Sequence, residues 1–381
     1  MRIFLSPPQQ NGLEAAYLEE ALATNYLAPV GPFLDRLEAR MCELTGYPAA
    51  LALNSGTAAL QLAVRHLLEV RGWPADGRPP VVIAASLTFI ASVAPAVQSG
   101  CELWLVDSER ESWTIDPVLL AQALHTAEAE GRAVLCVIPT DLYGQKADMQ
   151  AICGLCDPFG IPVLGDAAEA LGAELPPGSP KPWAEIISLN GNKIATASAG
   201  GILLSRDTAL MQHARKLSMQ AREPVIHYEH RELGYNARMS HLLAAVALAQ
   251  LSDLPQRVSR RREIFAGYQA RLADVPGVFF QPEAAWNRSS RWLTALTLDA
   301  ESTGVTPGDL VSCLADAEIE CRPLWKPLHQ QPALRGVRVF GHAVSDQLFA
   351  EGVCLPSGGA LTPDQQDEIC GRIRRRITGR S

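Results

Sequence analysis

Lys193 is the residue of this 381-residue chain whose setting points most directly to covalent chemistry. It ends the segment Ser188-Leu-Asn-Gly-Asn-Lys193, which follows a short apolar run. Burial lowers the affinity of a lysine amine for its proton, and the neutral amine is a nucleophile that forms a Schiff base with an aldehyde. A lysine in a loop of Gly and Asn is, on its own, more often a surface residue. The interpretation therefore depends on the residues that accompany it.

Asp166 is the first of these accompanying residues. It follows the apolar pair Val163-Leu164, so it lies at the end of a predicted buried strand. A carboxylate at this place could hold the protonated pyridine nitrogen of pyridoxal phosphate, which makes that ring an electron sink. The alternative is a helix N-cap, because aspartate accepts hydrogen bonds from the first N–H groups of a helix.

A candidate phosphate site lies at the turn Asn54-Ser55-Gly56-Thr57-Ala58, which precedes a predicted helix. The first N–H groups of a helix have no partner within it and bind phosphate readily. Ser188 can add a hydroxyl group to this site. Alone, such a turn can be no more than a helix cap. Phe89 follows another apolar run and could stack on a flat ring, although a core phenylalanine is the simpler alternative.

The elements that must position these residues follow a regular pattern. Short apolar runs alternate with helical periodicity, which is typical of a mostly parallel sheet covered by helices on both faces. The predicted strands are residues 81–84, 102–106, 134–138, 162–164, 186–189 and 201–204. Asp166 and Lys193 each follow one of these strands, at the edge of the sheet where ligands bind.

The C-terminal third of the sequence has a different character. A helical pattern runs from residue 240 past Pro255 to residue 273, and a strand at 292–298 and a helix at 307–317 follow it. We therefore expect a large domain at residues 1–251 and a smaller domain at residues 252–381.

Composition and charge restrict the class of protein. The chain is 48% hydrophobic and 19% charged, as in ordinary globular proteins, and its net charge of −8 argues against nucleic-acid binding. Neither a signal peptide nor an apolar stretch long enough to cross a membrane is apparent. The nine cysteines form no disulfide or metal pattern. We expect a cytoplasmic enzyme with no metal, nucleic-acid or membrane partner.

Further segments extend this pattern along nearly the whole chain. They are Leu27-Ala-Pro-Val-Gly-Pro32, Asp141-Leu-Tyr-Gly-Gln145, Asp166-Ala-Ala-Glu-Ala-Leu-Gly172, Gly234-Tyr-Asn236-Ala-Arg238-Met-Ser240 and Arg322-Pro-Leu-Trp-Lys-Pro-Leu-His329. With the phosphate turn, Phe89, Asp166 and Lys193 in this order, the chain resembles the DegT/DnrJ/EryC1/StrS family of sugar aminotransferases, which are fold-type I enzymes.

The resemblance implies an α/β fold with a mostly parallel seven-stranded sheet in the large domain and a smaller C-terminal α/β domain. It implies an aminotransferase that moves an amino group from glutamate to a nucleotide-linked 4-keto-6-deoxy sugar, in the biosynthesis of amino sugars and surface polysaccharides. The Arg322–His329 stretch is most similar to the branch that aminates C4 of UDP-linked 4-keto-6-deoxy-N-acetylhexosamines.

The resemblance also assigns residue roles. Lys193 would carry pyridoxal phosphate, Asp166 would pair with its pyridine nitrogen, and Glu169 would lie near its ring hydroxyl. The other expected cofactor contacts within the chain are Gly56, Thr57, Ala58, Phe89 and Ser188. Asn236 would reach the cofactor phosphate of the partner subunit, which implies a homodimer with shared active sites. The expected contacts to the sugar nucleotide are Arg322, Trp325, Lys326 and His329.

Two alternatives on the same fold stay open. A sugar dehydratase typically carries histidine at the lysine position, and a non-catalytic regulator would be expected to lose the lysine or the aspartate. Both Lys193 and Asp166 are present, which favours the aminotransferase. The sequence departs from the family pattern at Gly165, where an acidic residue is usual, and at Ala199, Met219 and Ala237. None of these departures removes a group needed for the mechanism.

Overall fold

Alternating strands and helices build the chain, which a computed structural model describes at residues 2–379. The strands are β1 (Ala49–Leu53), β2 (Val81–Ala85), β3 (Glu102–Val106), β4 (Val134–Ile138), β5 (Leu164–Asp166), β6 (Ala184–Ser188), β7 (Gly201–Ser205), β8 (Val278–Phe280), β9 (Thr294–Leu298), β10 (Arg322–Pro323), β11 (Arg338–Phe340) and β12 (Gly352–Leu355). The helices are α1 (Leu13–Ala23), α2 (Pro32–Thr45), α3 (Gly56–Arg71), α4 (Ala94–Gln98), α5 (Pro117–Ala129), α6 (Met149–Cys156), α7 (Thr208–Ser218), α8 (His241–Leu251), α9 (Leu254–Leu272), α10 (Ala300–Thr303), α11 (Pro307–Ala315), α12 (Ala343–Glu351) and α13 (Pro363–Thr378).

The large sheet consists of two ladders, ordered β1-β7-β6-β5 and β11-β3-β2-β4. Parallel bridges from Val137 to Val163 and from Thr140 to Asp166 join β4 to β5. Strand β7 is antiparallel to both of its neighbours, and the remaining pairs are parallel. The predicted α/β class with a mostly parallel sheet is confirmed. Within residues 2–379 this layer has eight strands where seven are expected, because β11 from the C-terminal third pairs with β3.

Helices cover both faces of this sheet. All residues of β2, β4 and β7 are buried, as their uninterrupted apolar sequences predict. On one face α3 and α7 pack against Val82 and Ile186. On the other face α5 and α6 pack around Ile83, and α2 and α8 pack around Ile187. The two faces are filled by alternate residues of the same strands, which fixes the direction of every side chain at the strand ends.

The smaller sheet has the order β10-β12-β9-β8 and is antiparallel. Its core includes Ile264, Leu310 and Ile369 from α9, α11 and α13, together with Ile3 from the opposite end of the chain. The single helix predicted across residues 240–273 is wrong. The chain forms α8 and α9 instead, because Asp253 leaves the helical backbone conformation and Pro255 has no N–H group to continue α8. This break lies near residue 252, where the domain boundary that the sequence suggests stays a prediction.

Residues 2–379 contain neither a membrane-spanning helix nor a cluster of metal-binding side chains. None of their helices combines the length and apolar character that spanning a lipid bilayer requires. No cluster of three or more His, Cys, Asp or Glu side chains among them is arranged to hold a metal ion.

Candidate active site

A cavity of about 440 Å³ opens at the carboxyl edge of the large sheet. It is bordered by Asp166 at the end of β5, Ser188 at the end of β6, and Lys193 in the loop that follows. The turn that starts α3, with Gly56 and Thr57, forms another part of its wall. The fold therefore brings together the groups that the sequence places in separate segments.

Asp166 lines this cavity and is held in place by two hydrogen bonds. Its side chain is buried, with Oδ2 accepting a hydrogen bond from Ser92 Oγ at 2.5 Å and Oδ1 accepting one from the Ala168 N–H at 3.1 Å. Burial raises the pKa of Asp166, and the hydrogen bonds and the positive charge of Lys193 oppose that rise. A buried carboxylate of this kind gains from a cationic N–H partner in the cavity. Ser92 was not predicted, because its sequence context gives no sign that it reaches Asp166.

Lys193 projects its amine between a carboxylate and an aromatic ring. Nζ lies 3.6 Å from Oε1 of Glu169 and 4.0 Å from the ring centre of Trp292. The loop itself is fixed at Asn192, whose carbonyl oxygen accepts hydrogen bonds from Trp292 Nε1 and from Ser6 Oγ, both at 2.8 Å. Trp292 was not predicted as a site residue, since it lies about a hundred residues away in sequence.

Glu169 joins the Lys193 amine to a second buried network. Its Oε2 accepts a hydrogen bond from the Tyr143 N–H at 3.0 Å, and its Oε1 accepts one from Trp325 Nε1 at 3.1 Å. The Trp325 N–H in turn donates to the Tyr143 hydroxyl at 2.8 Å. Burial raises the pKa of Glu169, which the charge of Lys193 counteracts. Through this network the C-terminal segment carrying Trp325 is connected to the Lys193 amine.

Tyr143 is a third residue that sequence reasoning missed, after Ser92 and Trp292. Its backbone has φ of +54°, in the left-handed region that is costly for residues other than glycine. Such strain is often kept where a side chain must be held in one position for function. The available signal was the Tyr143-Gly144 pair a few residues after β4, which is typical of a sharp turn.

The turn at the start of α3 approaches the sheet closely. A Cβ atom on Gly201 of β7 would lie 2.3 Å from the Gly56 nitrogen, so only glycine allows this contact. Ser55 caps the helix, because its Oγ accepts a hydrogen bond from the Ala58 N–H at 3.0 Å. Gly56 and Thr57 line the cavity, whereas the Ala58 N–H is already engaged by Ser55.

The ring of Phe89 is half exposed at the cavity wall, with its centre 5.2 Å from that of Trp325. Trp325 also lines the cavity, but the other three residues expected at a sugar nucleotide do not. Arg322 and Lys326 are exposed, and Arg322 is paired with Glu320. Within one chain, one of the four expected substrate contacts therefore lines the cavity and the other three do not.

His329 and Asn236 lie outside the residues that line the cavity. His329 bridges two elements, with Nδ1 at 2.7 Å from Ser86 Oγ and Nε2 at 2.7 Å from Asp346 Oδ1. Asn236 is exposed, and its carbonyl oxygen accepts a hydrogen bond from Asn54 Nδ2 at 3.2 Å. Asn54 lines the cavity, so Asn236 is connected to the cavity through this one residue.

This geometry agrees with what comparison with known proteins shows. A model of the DegT/DnrJ/EryC1/StrS aminotransferase family matches residues 8–374. The Bacillus subtilis (strain 168) protein named "Putative pyridoxal phosphate-dependent aminotransferase EpsN" is 44% identical over 374 residues, which cover 97% of this chain and 94% of that protein. GDP-perosamine synthase of Caulobacter vibrioides is 30% identical over 376 residues, covering 98% of this chain and 97% of the synthase.

Solved structures share the fold over its full extent. A DegT DnrJ EryC1 StrS aminotransferase from Brucella abortus superposes with a TM-score of 0.85 at 25% identity, covering 96% of this chain and 95% of the other. Helicobacter pylori PseC, described as an aminotransferase of pseudoaminic acid biosynthesis, gives 0.89 at 19% identity and covers both chains fully. The family predicted from the sequence is confirmed, and the chain belongs to the DegT/DnrJ/EryC1/StrS aminotransferase family.

Proposed function

We propose that this aminotransferase uses pyridoxal phosphate, carried by Lys193, to move an amino group from glutamate to a keto-sugar linked to a nucleotide. The observation that carries the proposal is the shared cavity, in which the buried Asp166 carboxylate and the Lys193 amine face the N-terminus of α3. EpsN, the relative with 44% identity, supports the choice of cofactor through its name. The synthases of GDP-perosamine support a nucleotide-linked sugar.

Pyridoxal phosphate fits the cavity in size and in chemical groups. A volume of about 440 Å³ is within the usual range for a cofactor site. Asp166 would hold the pyridine N–H, while Gly56, Thr57 and Ser188 would hold the phosphate group. The half-exposed Phe89 ring would cover one face. When bound, the cofactor supplies an electron sink for the bond that breaks at the substrate carbon.

Lys193 is the proton carrier of the reaction. Once released by the amino donor, the neutral Nζ would accept the proton from the donor's α-carbon as general base. It would then deliver that proton, as general acid, to the cofactor carbon on the other side of the transferred nitrogen. Glu169 and the face of Trp292 keep Nζ in place between these transfers, since both attract its ammonium form. Asp166 stabilises the charge that develops during the transfer.

The nucleotide-linked sugar would enter past Trp325, which lines the cavity. Arg322 and Lys326 flank it in sequence as exposed cations, and such side chains suit a diphosphate. The similarity of this segment to enzymes that aminate C4 of UDP-linked 4-keto-6-deoxy-N-acetylhexosamines makes that sugar class our first choice of substrate.

The decisive assay offers the purified protein ¹⁵N-labelled glutamate and a panel of UDP-, GDP- and dTDP-linked 4-keto-6-deoxy sugars, with products identified by mass spectrometry. We expect one sugar class to gain a labelled amino group. Loss of water from the sugar without gain of nitrogen would indicate a dehydratase instead. Absence of labelled product from the whole panel, with a cofactor-loaded protein, would contradict the proposal.

A further inference from the structure

Two arginines of α9 are buried behind the loop that carries Lys193. Arg257 and Arg261 are 8% and 5% exposed and lie one helical turn apart, so their side chains share one face of the helix. Between them is a cavity of about 10 Å³, which offers room for one small group. Its other walls are Pro7, Gln9, Lys193, Ile194 and Gly359.

The hydrogen bonds of Arg261 are all to neutral groups. Its guanidinium donates to the Ser357 carbonyl oxygen and, at 3.0 Å, to Ser6 Oγ. Within residues 2–379 no carboxylate forms an ion pair with it. Burial, and then repulsion from Arg257, lowers the pKa of Arg261 to about 10. A buried cation without an anionic partner is unfavourable, so an anion beside it would be stabilised.

Arg257 has one carboxylate partner and one unused nitrogen. Its Nε lies 2.7 Å from Asp253 Oδ1, and its Nη1 donates to the Gln9 carbonyl oxygen at 2.9 Å. Its Nη2 is buried and has no hydrogen-bond partner in the part of the chain that the structure describes. The two guanidinium groups and Asp253 together leave one positive charge uncompensated at this cavity.

We propose that this cavity binds a single chloride ion between the guanidinium groups of Arg257 and Arg261. The small volume suits a monatomic anion better than a phosphate group or a carboxylate. A water molecule could satisfy Nη2 of Arg257, but it would leave the charge of Arg261 unbalanced. Arg261 keeps its proton at physiological pH, so its positive charge at the cavity is permanent.

The position of the ion gives it a structural role next to the loop that carries Lys193. Ser6 donates its hydroxyl to the carbonyl oxygen of Asn192 and accepts a hydrogen bond from Arg261. Chloride would thus hold α9 and the N-terminal segment against the residues on either side of Lys193. We expect it to stabilise the folded chain, without taking part in the chemistry.

Crystals grown with bromide in place of chloride test the site directly. We expect an anomalous scattering peak between Arg257 and Arg261 that refines to near-full occupancy. Density of a water molecule without an anomalous peak would overturn the proposal. This measurement uses the wild-type protein, so it does not depend on how well any variant folds.

Thermal unfolding in solution supplies the second measurement. When gluconate is replaced by chloride at constant ionic strength, Tm should rise and then saturate. Arg257→Gln should lose this response. Arg271→Gln, on the same helix but paired with Asp367 near the surface, should keep it. An equal chloride response in wild type and Arg257→Gln, or a bromide peak with no response in solution, would mean an adventitious ion and refute the proposal.

Discussion

At the scale of single residues, Asp166 is placed by its neighbours. Ser92 and the Ala168 N–H hold its carboxylate, so Asp166→Asn preserves the shape of the site and removes only the charge. The rate of the glutamate half-reaction should fall by about 100-fold or more, because the developing charge loses electrostatic support. Stopped-flow absorbance in single turnover measures this rate. A rate close to that of wild type would show that Asp166 has another role.

Lys193 can be identified as the attachment residue by chemical trapping. Borohydride should fix the cofactor to Lys193, and peptide mapping should find the label there. Lys193→Ala should lose turnover and the visible absorbance of covalently bound cofactor, even where pyridoxal phosphate still binds. Lys146 is a useful internal control, since its amine is also buried but is paired with Asp141 and Glu185. A label on Lys146, or on any lysine other than Lys193, would refute the assignment.

His329 provides a test of where the sugar nucleotide binds. If the segment around Trp325 contacts that substrate, His329→Ala should slow the sugar half-reaction by about tenfold and leave the glutamate half-reaction nearly unchanged. Rapid-mixing measurements with each substrate alone separate the two. Equal slowing of both would instead mean that His329 acts through Ser86 and the loop that carries Phe89 and Ser92.

At the scale of elements, α3 and α7 meet at a pair of histidines. Nδ1 of His66 lies 3.1 Å from Nδ1 of His213, and burial followed by repulsion from His213 lowers the pKa of His66 below its ordinary 6.5. Asp207, Glu232 and Lys216 surround the pair. As the pH falls, His66 therefore takes up a proton in the unfolded chain before it does so in the folded chain.

The stability contributed by this arrangement is complete above pH 6.5 and is lost as the pH falls through that value. The free energy of unfolding, measured with urea, should be lower at about pH 5.5 than at about pH 7.5. In His66→Gln this decrease should be smaller by about 1 kcal/mol or less. His125→Gln, an exposed histidine, is the matched control and should behave as wild type. An unchanged pH dependence in His66→Gln would contradict the prediction.

The sequence predicts the elements of the large sheet well, because a strand buried on both faces must be apolar throughout. It predicts Asp166, Ser188 and Lys193 as candidate site residues for a related reason, since polar residues at the ends of such strands, or shortly after them, stand out. Strand β1, Ala49–Leu53, was missed because an Ala- and Leu-rich run suits a helix equally well. Strand β11 has only three residues, and its pairing with β3 is a property of the folded chain.

The site residues that were not predicted from the sequence were missed for one common reason. Ser92, Tyr143 and Trp292 reach the cavity residues through contacts between segments distant in sequence, which local pattern cannot reveal. The same is true of Arg257 and Arg261, whose burial depends on the N-terminal segment. Asn236 is likewise exposed in the single chain, and the role proposed for it involves a second chain.

At the scale of the whole molecule, we propose a homodimer in which Asn236 serves the partner's site. Lys193→Ala and a disruptive Asn236 variant should each be nearly inactive. When the two are refolded together at equal concentration, about half the dimers are mixed, and each of these has one intact site. About a quarter of wild-type activity should then return.

Turnover of the mixed sample relative to each variant alone is the measurement. If both residues serve the same site from one chain, every site carries a lesion and mixing restores nothing. If Asn236 only supports the fold, its variant should be less stable yet active before any mixing.

Contacts between segments that are far apart in sequence determine when folding can finish during synthesis. Ile3 belongs to the core formed by α9, α11 and α13, and the edge of β3 is completed by β11. Ile3 and β3 must therefore wait for helices and a strand that are synthesised long after them. Until then β3 presents an open strand edge, which is a template for association with other chains. A polypeptide truncated before residue 338 would lack β11 and keep the open edge of β3 permanently. Such a polypeptide should aggregate rather than fold into a shortened enzyme.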